Sequence, residues 1–329
     1  MRPIAKVAVI GMALGLAATV GVASGALEAK ELKFSTNVPD DNMFTRHSRL
    51  FAEKVAAKTN GDVKITVYSN STLGNDRDVL EGMQVGTIEM AINSGGTLSN
   101  FAPEAGVFGL PFLFEDWDHL SQALRSDVVK EVNEKVVAKS NIRVLGWMQQ
   151  GFRVLLTNKR KVNTIEDMKG LKIRLPQDKI LIETFELLGA APTVIPWTDV
   201  YVAMQTGVVD GMESTPPSID SMKFQEVADY LALLNHQHTV IGILIAEPVW
   251  KSLSSSEQAA MQEAADEVLE ENFREARANS EASLDRIRQG VKEVTQPDTT
   301  TLRSAVRPMY EDFGKRTGTQ AVIDKILNM

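Results

Sequence analysis

Arg153 and Arg174 are the side chains of this chain best suited to chemistry, and that chemistry is the capture of an anion. A guanidinium presents planar paired donors that match a carboxylate, and such charge-assisted contacts are stronger and more directional than neutral hydrogen bonds. Arg153 follows Gly151 and Phe152 and opens the strand-like run RVLLT, whereas Arg174 ends the run LKIR ahead of Pro176. Strand ends that face a crevice are where open α/β sheets bind ligands. Spacing alone leaves another reading open for both, a structural ion pair with an internal Asp or Glu. Trp197, between Pro196 and a helix start, suits the wall of a ligand's apolar face. For it and for Trp147 the alternative is a place in the core.

Other chemistries find less support. The chain has no Cys, which excludes thiol catalysis, zinc-thiolate sites and disulfides. No nucleophile elbow, phosphate-cradling loop or H-E-x-x-H zinc motif is present. Of the four His residues, His236 and His238 would share a strand face but lack a clear third ligand, so they read as hydrogen-bonded or cleft-lining and no metal is expected. Carboxylate pairs such as Asp40–Asp41 and Glu270–Glu271 read as solvated surface. No catalytic residue and no cofactor are expected. A net charge of −8 makes nucleic acid a poor partner.

The elements that must position these residues follow from the hydropathy pattern. Arg2 and Lys6 precede an apolar run from Val7 to Ala23, and small residues follow, the pattern of a cleavable export signal over residues 1–29 and hence of an exported protein. A retained anchor is the alternative, although the run barely reaches the roughly 17–25 residues of a spanning helix. The remaining length exceeds one modest core and implies two domains with a cleft between them. ELKFST and DVKITVYSN alternate as strands around a helical stripe of Leu50, Phe51, Val55 and Ala56, and NDRDVLEGMQVGTIE then MAINSG repeat the succession. This order argues for mostly parallel sheets flanked by helices. NIRVLGWMQ leads straight into GFRVLLT through Gly146 and Gly151, a plausible crossing between domains. TVIGILIAE reads as a fully buried central strand. From Ser254 to about Gly290 runs one long helical pattern free of internal Pro and Gly, either an amphipathic surface helix or one packed on both domains.

Several of these segments carry a family resemblance. GFR, TIEDMKGLKIRLP, LGAAPTVIPWTDVYVAMQTGVVDG and the earlier STLGNDRDVLEGMQVGTIEM, with NFAPE, LPFLF and the late helix, resemble the DctP-type extracytoplasmic solute-binding proteins of tripartite ATP-independent periplasmic (TRAP) transporters. The resemblance implies an α/β clamshell of two lobes, with a long helix braced across both and two strands as hinge. Lobe I is then expected from residues 30–150 with 239–278, and lobe II from 151–238 with 279–329. It further implies a non-enzymatic, monomeric carrier that binds a small organic acid, such as a C4-dicarboxylate, a sugar acid or a keto acid, and delivers it to integral-membrane permease subunits. Arg174 would be the principal carboxylate clamp and Arg153 its helper, with Trp197 lining the cleft and Asn37, Asn75 and Asn93 adding polar groups. Trp147, Glu213, Ser214 and His238 complete the expected lining.

Two departures bear on the ligand. Many relatives read D-G-Q-E-N and use the last Asn as a donor, whereas this chain reads DGMEST and places the shorter Ser214 there. The N-terminal segment reads PDDNMFTRH instead of the commoner P-x-x-H. A sulfonate or zwitterionic solute, a sensing role on the same clamshell, and a periplasmic hydrolase are the competing readings.

Overall fold

The computed structural model describes residues 29–329; the expected leader, but for its last residue, lies outside them. Among the described residues, eleven strands build two sheets. β1 (Lys30–Ser35), β2 (Val63–Tyr68), β3 (Met90–Ser94), β4 (Ile142–Phe152) and β10 (His238–Ala246) form the first, in the order β2-β1-β3-β10-β4, with β5 (Val154–Thr157), β6 (Lys172–Leu175), β7 (Ala191–Val194), β8 (Gly211–Ser214), β9 (Tyr230–Ala232) and β11 (Glu293–Thr295) forming the second, ordered β11-β9-β5-β8-β6-β7.

Each sheet contains one strand that runs against the others. β10 is antiparallel to both β3 and β4, and β5 to both β8 and β9. Both are strands on which the chain has just crossed from the other lobe, β4 to β5 at Phe152–Val154 and β9 to β10 over 233–237. The crossing expected near Gly146 and Gly151 is therefore real, and a second one pairs with it. All nine residues of β10 are buried because it lies inside its sheet, which is what an unbroken apolar run encodes.

The β4–β10 ladder slips twice, and between Thr239 and Val240 the slip leaves Gln150 without an opposite residue. Such a bulge bends the strand and re-aims a side chain. Gly151 follows with φ +126°, and a Cβ there would stand 2.9 Å from Ser280 Oγ, so both backbone conformation and packing call for glycine.

The long helix spans Ser255–Gly290, about 54 Å at 1.5 Å per residue. Ser254 caps it, accepting from Glu257 N while the Glu257 side chain accepts from Ser254 N. Met261, Ala264, Ala265, Val268 and Ala276 pack into the first lobe's core with Phe34 and Phe51, whereas Ile287 joins Leu156, Met212 and Phe224 in the second. The helix thus packs on both lobes. Midway, the buried Asn272 side chain grips β4, donating to Gln149 O at 3.1 Å and accepting from Gln149 N at 2.7 Å. The last three helices, Thr300–Val306, Pro308–Thr317 and Gln320–Leu327, also touch both lobes: Tyr310 donates to Pro111 O at 2.6 Å, and Thr184 of the second lobe lies 3.9 Å from Met309 Sδ.

Candidate functional site

The two lobes meet in a closed arrangement. Asn42 Nδ2 donates to Ser221 Oγ at 3.2 Å and Asn100 Nδ2 to Gln177 O at 2.6 Å across the cleft. Gly96 approaches so closely that a Cβ would stand 1.7 Å from Asp178 Oδ2. Between these contacts lies a cavity, about 610 Å³ when the open solvent at its mouth is included, lined from the first lobe by Asn37, Phe44, Asp76, Asn93, Thr97 and Gln150 and from the second by Arg153, Arg174, Trp197, Ser214 and Ser218. A second space of about 690 Å³ adjoins it and shares Asp76, Thr97, Arg174, Pro176 and Trp197.

Arg174 sits where β6 ends and is 2% exposed. Its Nε and Nη2 both donate to one acceptor, Ile195 O, at 2.9 and 2.7 Å, leaving Nη1 and one Nη2 hydrogen uncommitted. Among the described residues it forms no ion pair. Burial disfavours its charged form and lowers its pKa to about 10, opposed by the fields of Glu213 and Asp76. The guanidinium carbon lies 5.4 Å from the Trp197 ring centroid, within cation–π range. Pro196 and the short turn Trp197–Asp199 set that ring beside the clamp, and Trp197 Nε1 has no partner among the described residues.

Arg153 is differently placed. Its Nε and Nη2 grip both carboxylate oxygens of Glu213, the Nη2–Oε1 distance being 2.6 Å, and Nη1 donates to Thr239 Oγ1 at 2.9 Å. Glu213 is fully buried and also lies 3.2 Å from His236 Nε2. Burial would raise its pKa, but the Arg153 charge prevails and holds it at about 2. Burial lowers the pKa of His236, so the imidazole is neutral at pH 7. The internal ion pair that the sequence left open for both arginines is thus the state of Arg153, and it leaves Arg174 as the uncompensated charge.

The structure brings Asn37, Asn93, Trp197 and Ser214 to this cavity with the two arginines, and it does not bring the remaining four expected residues there. Trp147 is a core residue: its ring packs on Phe108 with centroids 5.6 Å apart, and Nε1 donates to Asn133 Oδ1 at 2.9 Å. Asn75 caps the helix Asp76–Val85, its Oδ1 accepting from Arg77 N and Asp78 N, and touches only the adjoining space. His238 is wedged between Trp117 and Phe152, at centroid distances of 4.6 and 4.7 Å, where burial drives its pKa to about 3, and it touches only a small adjoining space that shares Arg153 and Thr239 with the cavity. Glu213 lies behind Arg153. Asp76, Thr97, Gln150, Ser218 and Thr239 line the cavity without having been anticipated. Only Gln150 carried a local signal, its place beside Gly151 at the crossing.

The cavity can hold a carboxylate at Arg174 and hydrogen-bond hydroxyls around it. Asn93 is 5% exposed with an unpartnered Nδ2, and Ser214 contributes a hydroxyl. Among the described residues no cluster of three or more His, Asp or Glu could hold a metal ion, and no helix is long and apolar enough to cross a membrane.

Residues 34–317 match the family model of bacterial extracellular solute-binding proteins, family 7, DctP. The sialic acid-binding periplasmic protein SiaP of Vibrio cholerae is 29% identical over 329 residues, the whole of both chains. Among solved structures, a TRAP periplasmic solute-binding protein of Bordetella bronchispeptica, with bound density assigned to pantoate, superposes with a TM-score of 0.85 at 32% identity, covering 91% of this chain and 98% of its own. The sugar acid-binding protein DctPAm of Advenella mimigardefordensis, in complex with galactonate, gives a TM-score of 0.85 at 26% identity over 92% and 98% of the two chains. With two lobes around a polar cleft, and with a family match that covers nearly all the described residues, the chain belongs to the DctP family of TRAP-transporter solute-binding proteins.

Proposed function

We propose that the protein captures a small hydroxylated organic acid, a sugar acid or a close relative, by clamping its carboxylate on Arg174, and delivers it to the membrane permease subunits of a TRAP transporter. It acts in the periplasm after removal of the leader and catalyses no reaction. The observation that carries this reading is the state of Arg174: a buried guanidinium without a carboxylate partner, whose free donors line a cavity rich in hydroxyl and amide groups. Leaving a charge buried and unpaired is expensive, and an anionic ligand removes that penalty. Arg153 acts as a helper whose own charge is held by Glu213. The relatives support the substrate class, since sialic acid, pantoate and galactonate are each monocarboxylic acids that carry hydroxyls.

A thermal-shift screen of sugar acids, hydroxy acids, keto acids and C4-dicarboxylates, on protein freed of bound ligand by unfolding and refolding, tests the proposal. At least one acid should stabilise the fold. Calorimetry with that acid should show Arg174→Ala losing about 1,000-fold in affinity, and Arg174→Lys, which keeps charge without the paired geometry, about 10- to 100-fold. A flat screen, or unchanged affinity in both variants, refutes the clamp.

A further inference from the structure

Asp76 gives the cleft a fixed acceptor opposite its cation. It is the first residue of the helix Asp76–Val85 and lines both the cavity and the adjoining space. Its Oδ1 accepts from Asn37 Nδ2 at 2.9 Å, which locks the carboxylate in place, while Oδ2 makes no hydrogen bond among the described residues. Burial raises its pKa, whereas the Arg174 charge, the Asn37 hydrogen bond and the helix N-terminus favour the carboxylate. Asp76 and Arg174 share the cavity wall without forming an ion pair.

The cationic lining is short. Arg174 is uncommitted, and Arg153 is neutralised by Glu213. Arg77 at the rim of the adjoining space is exposed and engaged by Glu81 at 2.7 Å. One ligand carboxylate therefore has a partner, and a second would meet Asp76 instead. What Asp76 can accept is a donor, and Asn93 Nδ2 supplies a complementary donor nearby.

We propose that Asp76 is a specificity-determining residue, which selects acids bearing a hydroxyl or ammonium donor on the chain beyond a single carboxylate and rejects dicarboxylates by like-charge repulsion. This rests on the Arg174 clamp argued above. Asp76 buys specificity by making the wrong ligand worse as well as the right one better. C4-dicarboxylates thereby fall outside the range of the site, although they share the carboxylate that Arg174 holds.

Pairs of acids on one carbon skeleton isolate the effect: D-galactonate against galactarate, and D-gluconate against glucarate, differ in whether the far end is a hydroxymethyl or a second carboxylate. L-Serine and succinate serve as the ammonium-bearing and the unhydroxylated members. By calorimetry the wild type should bind one of the aldonates about 100-fold or more tightly than its diacid, and Asp76→Asn should narrow that ratio by about ten-fold or more through a gain for the diacid. Asp76→Ser, which removes the carboxylate with a different shape, should narrow it in the same direction. A preference for L-serine over both aldonates would assign the donor as an ammonium, which sustains the proposal. A wild type that binds the diacid as tightly, or a ratio unchanged in both variants that melt like the wild type, overturns it. The same titrations on Arg174→Ala keep the two claims apart. Binding lost there with an unchanged ratio in the Asp76 variants leaves the clamp standing and removes the filter, whereas wild-type protein that binds no acid overturns both.

Discussion

Arg153 and Arg174 share a cavity wall and a residue type, but their replacement by Met should move stability in different ways. Arg153 holds the buried Glu213 carboxylate at a pKa of about 2 against an ordinary 4.5. A carboxylate with a depressed folded pKa contributes stability that is fully present above its unfolded pKa and lost as pH falls towards the folded one, so at pH 7 it is all present and rests chiefly on Arg153. Holding the carboxyl at about 2 instead of 4.5 corresponds to about 3 kcal/mol, and breaking a buried pair by removing one partner costs about 3–5 kcal/mol. For a chain of this size that is a fall in Tm of roughly 6–15 °C. Arg174 has no carboxylate to abandon. Its pKa of about 10, lowered by burial from 12.5, marks a charged form that the fold disfavours by up to about 3 kcal/mol. Losing the two hydrogen bonds onto Ile195 O costs a comparable ~1–3 kcal/mol, so the unliganded Tm of Arg174→Met should stay within a few degrees of wild type. Differential scanning fluorimetry at pH 7, with and without millimolar D-galactonate, reads both effects. Ligand-free Arg153→Met should melt far below Arg174→Met, and the ligand-induced shift should vanish in Arg174→Met. If the two variants lose the same stability, the assignment of one arginine as internally paired and the other as uncompensated is wrong.

His238, held at a pKa of about 3 against an ordinary 6.5, is neutral when folded and takes up a proton on unfolding below pH 6.5. Stability should therefore drop between pH 6.5 and 4, and His238→Phe should flatten that slope by up to about 1.4 kcal/mol per pH unit in urea titrations, leaving the similar contribution of His47 in place. At the crossing, Gly151→Ala should cost roughly 2 kcal/mol or more, because φ +126° strains an L side chain and its Cβ meets Ser280 Oγ at 2.9 Å; equilibrium unfolding checks it. Asn272→Ala should cost about 2–4 kcal/mol by the same measurement, since both backbone groups of Gln149 lose their side-chain partner inside the fold.

The fold was legible where periodicity reports burial directly. TVIGILIAE announced β10, the Ser254 cap and a stretch without Pro or Gly announced the long helix, and adjoining strand patterns around Gly151 announced the crossing. At the site, the sequence pointed to Arg174 and Trp197 and the family resemblance to Asn37, Asn93 and Ser214, all of which line the cavity, but the different states of the two arginines were not legible. Arg153 looked equivalent because its partner Glu213 lies 60 residues away, on a strand whose pairing no local pattern encodes. Asp76 passed as an ordinary acid in a helix's first turn, hidden beside Asn75, which does the capping that both residue types can do. Trp147 is satisfied by Asn133, a partner the hydropathy of its own strand does not reveal. Residues that act by facing across a cleft are specified by how two lobes meet, and neither lobe's own sequence carries that information.

The interleaving of strands also sets the order in which the molecule can be completed as it emerges from its N-terminus. The first sheet opens with Lys30 yet stays unfinished until Ala246, because β10 belongs between β3 and β4, and β4 has no other strand to pair with. Strands β5 to β9, by contrast, are all present once Ala232 has appeared, and only the edge strand β11 comes later. Domains of a growing chain usually assemble from the N-terminus forward. Here the half of the molecule that begins first must wait for a strand delivered from the other half, after β5 to β9 have already appeared.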